Sequence, residues 1–243
     1  MTSKTDRVKS LFEVPEKYLC PRQFDIQIRV ETVQQFTSMQ HFDNVLDIGC
    51  GSGAISLPLL PQCRKLTLLD LSKSMLELAE QRVPAERRGD VDFINGDFIT
   101  ANLKPQSFDL ILCIGVLAHV DSVPAVVARV ASLAKPGACI VLEFTDSFHF
   151  WGVPVVLYQK AIKLLRPEPY ALNRLEKRQI VDLCQANGLR ASALYRYGLP
   201  PLGASRFKNQ QEMYRMVRNL FGSTEQNRNT WMGNQFIFRL QKS

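Results

Sequence analysis

From about residue 43 the chain alternates short apolar runs with stretches whose apolar positions recur at helical spacing. The runs at Val45–Ile48, Leu66–Leu71, Val91–Ile94, Phe108–Ile114 and Cys139–Leu142 are short and nearly continuous, as in strands buried on both faces. Leu189–Tyr197 alternates, and Phe236, Phe238 and Leu240 fall on one side of a further strand over 233–242. Between the runs the spacing predicts helices: one from about Gly53 carrying Pro58 early, one over Lys73–Val83, one over Val123–Ala134, one over 174–187 and one over Asn209–Phe221. Ser72 stands where an N-cap belongs, the helix begun near Ser122 has Pro124 in its first turn, Pro84 stops a helix and Gly188 fits a left-handed C-terminal cap. Met213, Met216, Val217 and Leu220 form the expected apolar face of the 209–221 helix. Strand–helix alternation of this kind predicts an α/β fold, a parallel sheet with helices on both faces.

Two additions frame that core. Residues 1–42 comprise a polar segment followed by a helix over 22–40, whose stripe of Phe24, Ile28, Val33, Phe36 and Met39 would lie on the sheet edge or over a site. Residues 43–243 form the main domain, with an apolar, aromatic insertion at about 146–172 and a helical insertion at about 205–222. The first insertion follows directly on the fifth core strand. Ligands of open α/β sheets bind beyond the carboxyl ends of the strands, so a lid is expected there, with a packed core helix or a membrane-surface helix as alternatives.

At 243 residues and 46% apolar, the chain can bury a core as one globular unit. Its apolar stretches stop well short of a membrane span, and no apolar segment follows the polar N-terminus, so a cytoplasmic protein without a signal peptide is expected. The six cysteines, Cys20, Cys50, Cys63, Cys113, Cys139 and Cys184, contain no C-x-x-C pair and read as reduced, mostly buried thiols without zinc. The formal charge of +7 is scattered over single residues and pairs rather than gathered into a basic run interleaved with aromatics, which reads as a generally basic surface rather than a nucleic-acid site. The oligomeric state is not encoded in these features.

The chemistry concentrates at Val45-Leu46-Asp47-Ile48-Gly49-Cys50-Gly51-Ser52-Gly53, a buried strand emptying into a glycine-rich turn. Glycines take positive φ and let backbone N–H groups approach a ligand, and a following helix would add its positive end. A dinucleotide fingerprint G-x-G-x-x-G is the rival reading: counted from Gly51 its third glycine would fall on Ser56, and from Gly49 on Ala54, which the looser form permits. The sequel decides. Leu66–Ser72 is a second strand ending in Asp70, Val91–Phe98 carries Gly96-Asp97-Phe98, Phe108–Gly115 is a central strand, and Leu133–Glu143 contains Pro136-Gly137 before a strand.

These features, in this order over about residues 43–145, resemble the class I S-adenosylmethionine-dependent methyltransferases. The resemblance implies a Rossmann-like seven-stranded sheet, parallel except for an antiparallel last strand between the fifth and sixth. It implies S-adenosyl-L-methionine as cofactor, with Asp47, Gly49, Gly51 and Gly53 around its methionine part and Asp70 on the ribose hydroxyls. Leu71 would lie beside the ribose, Asp97 and Phe98 on the adenine, and Cys113 under the reacting centre. A sulfonium methyl is already electrophilic, so the protein need only orient a nucleophile, exclude water and, where needed, accept a proton. His119 and His149 are the candidate bases, with Asp121 behind them, and Trp151 and Tyr158 the candidate substrate contacts. His119 could equally be a structural histidine fixing its loop. Related quinone-type O-methyltransferases place Glu before this histidine and use a metal; Ala118 stands there instead, so no metal is expected. Cys113-Ile114-Gly115-Val116 replaces the Asn/Asp-Pro-Pro-Tyr/Phe of base-amine methyltransferases, which again favours a small, partly apolar acceptor. A nucleic-acid methyltransferase and a non-catalytic cofactor-binding protein on the same fold remain the alternatives.

Overall fold

The computed structural model describes residues 23–38, 40–147, 172, 173, 175–198 and 209–243. In chain order these form α1 (Gln23–Thr37), β1 (Phe42–Ile48), β2 (Cys63–Asp70), α2 (Lys73–Arg82), β3 (Val91–Asn95), β4 (Phe108–Cys113), α3 (Val123–Leu133), β5 (Ala134–Thr145), α4 (Lys177–Ala186), β6 (Leu189–Tyr197), α5 (Gln210–Phe221) and β7 (Gln235–Lys242). The sheet runs β3-β2-β1-β4-β5-β7-β6. Its first five strands are parallel, and β7 pairs antiparallel with both β5 and β6. This is the Rossmann-like sheet with a reversed last strand that the family resemblance implied.

Strand alternation sends side chains to two cores. Val45, Leu66, Leu68, Leu110, Leu112, Tyr195, Tyr197 and Ile237 pack with α1 and α5 on one face. Leu46, Ile48, Ile111, Cys113, Ile140, Leu142, Phe236 and Phe238 pack with α3 and α4 on the other. Phe24, Ile28, Val33 and Phe36 of α1 are buried as their spacing predicted, and Met39 lies outside the described residues. α1 is therefore part of the main core. It is tied to α5 by the Gln210 side chain, which accepts from Phe24 N at 3.2 Å, and by Glu31, which accepts from Tyr214 Oη and pairs with Arg218.

The caps behave as their chemistry requires. Ser72 Oγ accepts from Met75 N at 3.3 Å, Ser122 Oγ from Ala125 N at 3.3 Å, and Asn209 Oδ1 from Glu212 N at 2.8 Å. Gly188 closes α4 with φ +71. Two expectations need correction. No α-helix begins near Gly53: turns lead to a six-residue 3-10 segment, Leu57–Gln62. Pro61 lacks the N–H that would bond Leu57 O, and its ring would meet that carbonyl, so with Pro58 it denies the segment an α-helical register. The glycine loop consequently has no following helix dipole. On α5 the buried face is Met213, Val217 and Phe221, whereas Leu220 is 41% exposed.

Candidate functional site

The C-terminal ends of the parallel strands open onto a cavity of about 320 Å³ roofed partly by Ile26 and Arg29 of α1. Each strand tip contributes in sheet order. β3 leads to Gly96, Asp97, Phe98 and Ile99, β2 to Leu69, Asp70 and Leu71, β1 to Gly49 and Gly51, and β4 to Ile114, Gly115, Val116 and His119. A mostly parallel open sheet gathers its ligand groups in this way because all its strand ends point to one side.

The glycine loop is held by its neighbours. Gly49 N and Cys50 N donate to Leu69 O at 2.8 and 3.1 Å, and Gly51 N donates to Asp70 Oδ2 at 2.8 Å. Gly49, Gly51 and Gly53 have φ of +66, +53 and +70. A Cβ on Gly49 would come within 2.7 Å of Val116 Cγ2, and one on Gly53 within 2.8 Å of Leu57. Arg82 adds a clamp, its Nη1 donating to Ser52 Oγ at 2.7 Å and to Ser52 O at 3.2 Å.

Asp70 also accepts from Ser72 N at 2.8 Å. Burial raises its carboxyl, while the N–H donors of Ser72, Gly51 and Leu71 pull it back. A carboxylate has about four acceptor sites, so Asp70 retains capacity for a ligand's hydroxyls. Asp97 Oδ1 accepts from Ile99 N at 2.8 Å, shaping the turn that puts Phe98 against the cavity. The Arg129 guanidinium stacks over the Phe98 ring at 5.5 Å and donates from Nε to Phe98 O at 2.7 Å and from Nη2 to Ala101 O. His119 lines the cavity with Asp121, and its N donates to Val116 O at 2.9 Å. Asn173 fixes this loop: its N donates to Ala118 O, and its Nδ2 to Leu117 O and Val120 O at 2.9 and 2.7 Å.

Gly49, Gly51, Asp70, Leu71, Asp97, Phe98 and His119 thus converge on one cavity, and Asp121 joins them. Three candidates do not line it. Asp47 is 3% exposed and does not line the cavity: alternation along β1 puts it on the Val45 face of the sheet, within the core that α1 covers. Gly53 serves the close approach of the loop to Leu57. Cys113 is fully buried among the α3 and α4 contacts, and burial raises its thiol far above the ordinary range. His149, Trp151 and Tyr158, with most of the 146–172 insertion, lie outside the described residues. The flanks of that insertion are placed: Asp146 bridges to Leu175, and Ser147 N donates to Leu175 O at 2.9 Å. Arg29, Ile26 and Val116 were missed. For Arg29 the available signal was a charge set into the apolar stripe of an otherwise core-facing helix.

Among the described residues no group of three or more His, Cys, Asp and Glu could hold a metal, and no helix is long and apolar enough to cross a membrane. An adenosyl cofactor fits what is present: a backbone cradle that a Cβ would fill, two carboxylates at successive strand tips and an aromatic ring beyond them.

A methyltransferase domain family matches residues 46–140. Among curated proteins, the ubiquinone biosynthesis O-methyltransferase of Vibrio atlanticus is 28% identical over 141 residues, covering 57% of this chain and 59% of that one. The Idiomarina loihiensis protein of the same description is 30% identical over 114 residues, 46% of each. The chain therefore spans about half the length of the curated relatives it matches. Among solved structures, a SAM-dependent methyltransferase of Thermotoga maritima superposes with TM-score 0.69 at 17% identity, over 99% of this chain and 100% of that one. Magnesium protoporphyrin IX methyltransferase of Synechocystis, solved with bound S-adenosylhomocysteine, gives 0.66 at 17% over the same shares, and these similarities establish the fold.

Proposed function

We propose that this chain carries a class I S-adenosylmethionine-dependent methyltransferase domain and transfers the methyl group of that cofactor to a small, partly apolar acceptor, a reading supported by the methyltransferase domain match over residues 46–140. The observation that carries this reading is the convergence of the Gly49–Gly51 cradle, Asp70, Asp97, Phe98 and His119 on one mainly apolar cavity at the strand tips. In this reading the backbone of the glycine loop holds the methionine part, Asp70 accepts from the ribose hydroxyls, and Asp97 and Phe98 take the adenine. When bound, the cofactor supplies an electrophilic methyl, so the chain's own work is orientation and exclusion of water.

His119 sits on the β4 side of the cavity, on a loop fixed by Asn173. That fixity is what a base needs to meet an acceptor proton at a set distance. Hydroxyl acceptors come first, because the curated relatives are named as O-methyltransferases; a phenol-type hydroxyl offers both a titratable proton and apolar area. Incubation with methyl-labelled S-adenosylmethionine and fractionated small-molecule extract tests the proposal. Label should appear in an organic-soluble small molecule, and His119→Ala should lower turnover about 10²-fold or more with cofactor affinity unchanged. Label appearing only in RNA, lost steeply with added salt, would overturn the small-molecule reading.

A further inference from the structure

The residues that follow the 146–172 insertion enter the strand-tip end of the sheet as a wedge. β4 and β5 pair as far as Cys113 and Leu142. β5 continues to Thr145 along β7, while Gly115, with φ +74, lies where the chain leaves β4. The space between the two strand ends is filled from far along the sequence. Asp146 bridges in parallel to Leu175, Ser147 N donates to Leu175 O at 2.9 Å, and Asn173 N donates to Ala118 O at 2.9 Å. On its other side Asp146 N donates to Asn234 O at 2.7 Å. Asn173 and Leu175 therefore stand between the continuation of β5 and the loop after β4. Leu175, 6% exposed, anchors them in the core shared with α3 and α4.

The Asn173 side chain turns this wedge into a clamp. Its Nδ2 donates to Leu117 O at 2.9 Å and to Val120 O at 2.7 Å, across 56 and 53 positions of sequence. With the backbone bond to Ala118 O, one residue holds peptide units on both sides of His119, whose own N donates to Val116 O at 2.9 Å. The chemistry singles out an amide. Asparagine brings two donors on one nitrogen, a hydroxyl brings one and an aspartate carboxylate none.

We infer that Asn173 is a positioning residue for His119: through the carbonyls of Leu117 and Val120 it sets where the imidazole stands at the cavity. His119 lines the cavity and Asn173 does not, so Asn173 acts through the loop. The inference rests on the reading of His119 as proton acceptor. A misplacement of about 1 Å at a reacting group costs about 10²-fold in rate, so the clamp is felt in turnover. It is not felt in cofactor affinity, because the glycine cradle, Asp70 and Asp97 follow β1, β2 and β3, and β4 separates them from the wedge.

The test compares Asn173→Ala, Asn173→Asp, His119→Ala and the His119→Ala/Asn173→Ala double variant. Both Asn173 substitutions leave the backbone bonds of the wedge in place and remove the two Nδ2 donors. One measurement is methyl transfer from labelled S-adenosylmethionine into the organic-soluble fraction of small-molecule extract, and the other is S-adenosylhomocysteine affinity by calorimetry. Each Asn173 variant should transfer about tenfold or more slowly than the wild type, with affinity within about twofold. The double variant should be no slower than His119→Ala alone, since without the imidazole the clamp has nothing left to position. Nuclear magnetic resonance gives a readout that needs no acceptor. The chain has three histidines, and the imidazole signal missing from His119→Ala belongs to His119. In Asn173→Ala that signal should move.

Asn173 variants that transfer at the wild-type rate, or that lose transfer and S-adenosylhomocysteine affinity in parallel, overturn the inference. So does a double variant in which the two losses multiply, or a His119 signal that stays where it was. His119→Ala transferring as fast as the wild type overturns the reading of His119 as base, and the inference with it.

Discussion

Asp47→Asn should stabilise this protein, and by an amount that depends on pH. The wild-type carboxyl lies in the core beside Ser56, 3% exposed, with its Oδ2 lacking a hydrogen-bond partner. Burial pushes it up to about 7; the Ser56 hydroxyl pulls it back and the Asp70 charge adds to the rise. An ordinary aspartate titrates near 3.9, and a tenfold change in proton affinity is about 1.36 kcal/mol, so burying the charged form costs ~4 kcal/mol at most. The folded carboxyl binds its proton more tightly than the unfolded one. Its contribution is therefore fully present below about pH 4 and is lost as pH rises from there through about 7. The amide that replaces it in Asp47→Asn carries no charge at any pH, and it can donate to Ser56 Oγ. Urea denaturation of both proteins at pH 5 and pH 8 measures the effect, since other titrating groups cancel in the difference. The variant's advantage should be larger at pH 8 than at pH 5 by about 2 kcal/mol or more. An equal advantage at both pH values would refute the argument that Asp47 is a buried, reluctantly charged group.

Gly49→Ala forces a side chain into positive φ and against Val116, so S-adenosylhomocysteine affinity measured by calorimetry should fall about tenfold or more. Gly89→Ala, with nothing within 4 Å of the new Cβ, should leave it unchanged. Arg129→Ala removes the stacking partner and carbonyl clamp of Phe98 and should weaken the same ligand several-fold, with a loss of about 1–2 kcal/mol in urea denaturation. Cys50, Cys63, Cys113, Cys139 and Cys184 are buried, and burial raises every one of these thiols, Cys184 to about 11. Their alkylation by iodoacetamide at pH 8, followed by mass spectrometry, should proceed only when denaturant is added.

The sheet was legible because its strands are short apolar runs with clear punctuation. Ser72 and Gly188 declare helix ends through local chemistry that tertiary packing does not override, and the structure adds Ser122 and Asn209 as caps of the same kind. The segment after the glycine loop misled because its apolar spacing suits a helix, while Pro61, which decides the matter, acts through a carbonyl four residues earlier. Asp47 was read as a strand-tip ligand because sequence gives its place in the strand, while its facing follows from alternation against Leu46 and Ile48. The buried cluster in which Arg29 pairs with Asp25 and Glu143, and Tyr197 Oη donates to Asp25, was invisible for a different reason. Arg29 and Glu143 are 114 positions apart, and only the order of β5 and β7 beneath α1 brings them together.

Hydrogen–deuterium exchange with and without S-adenosylhomocysteine tests the central claim most directly, because it reports where on the chain a ligand acts. The account predicts added protection in peptides covering 49–53, 70–72, 96–99 and 114–116, four separate strand tips brought together only by the fold. Saturating ligand that left those four segments unchanged, or protected a different surface, would contradict it.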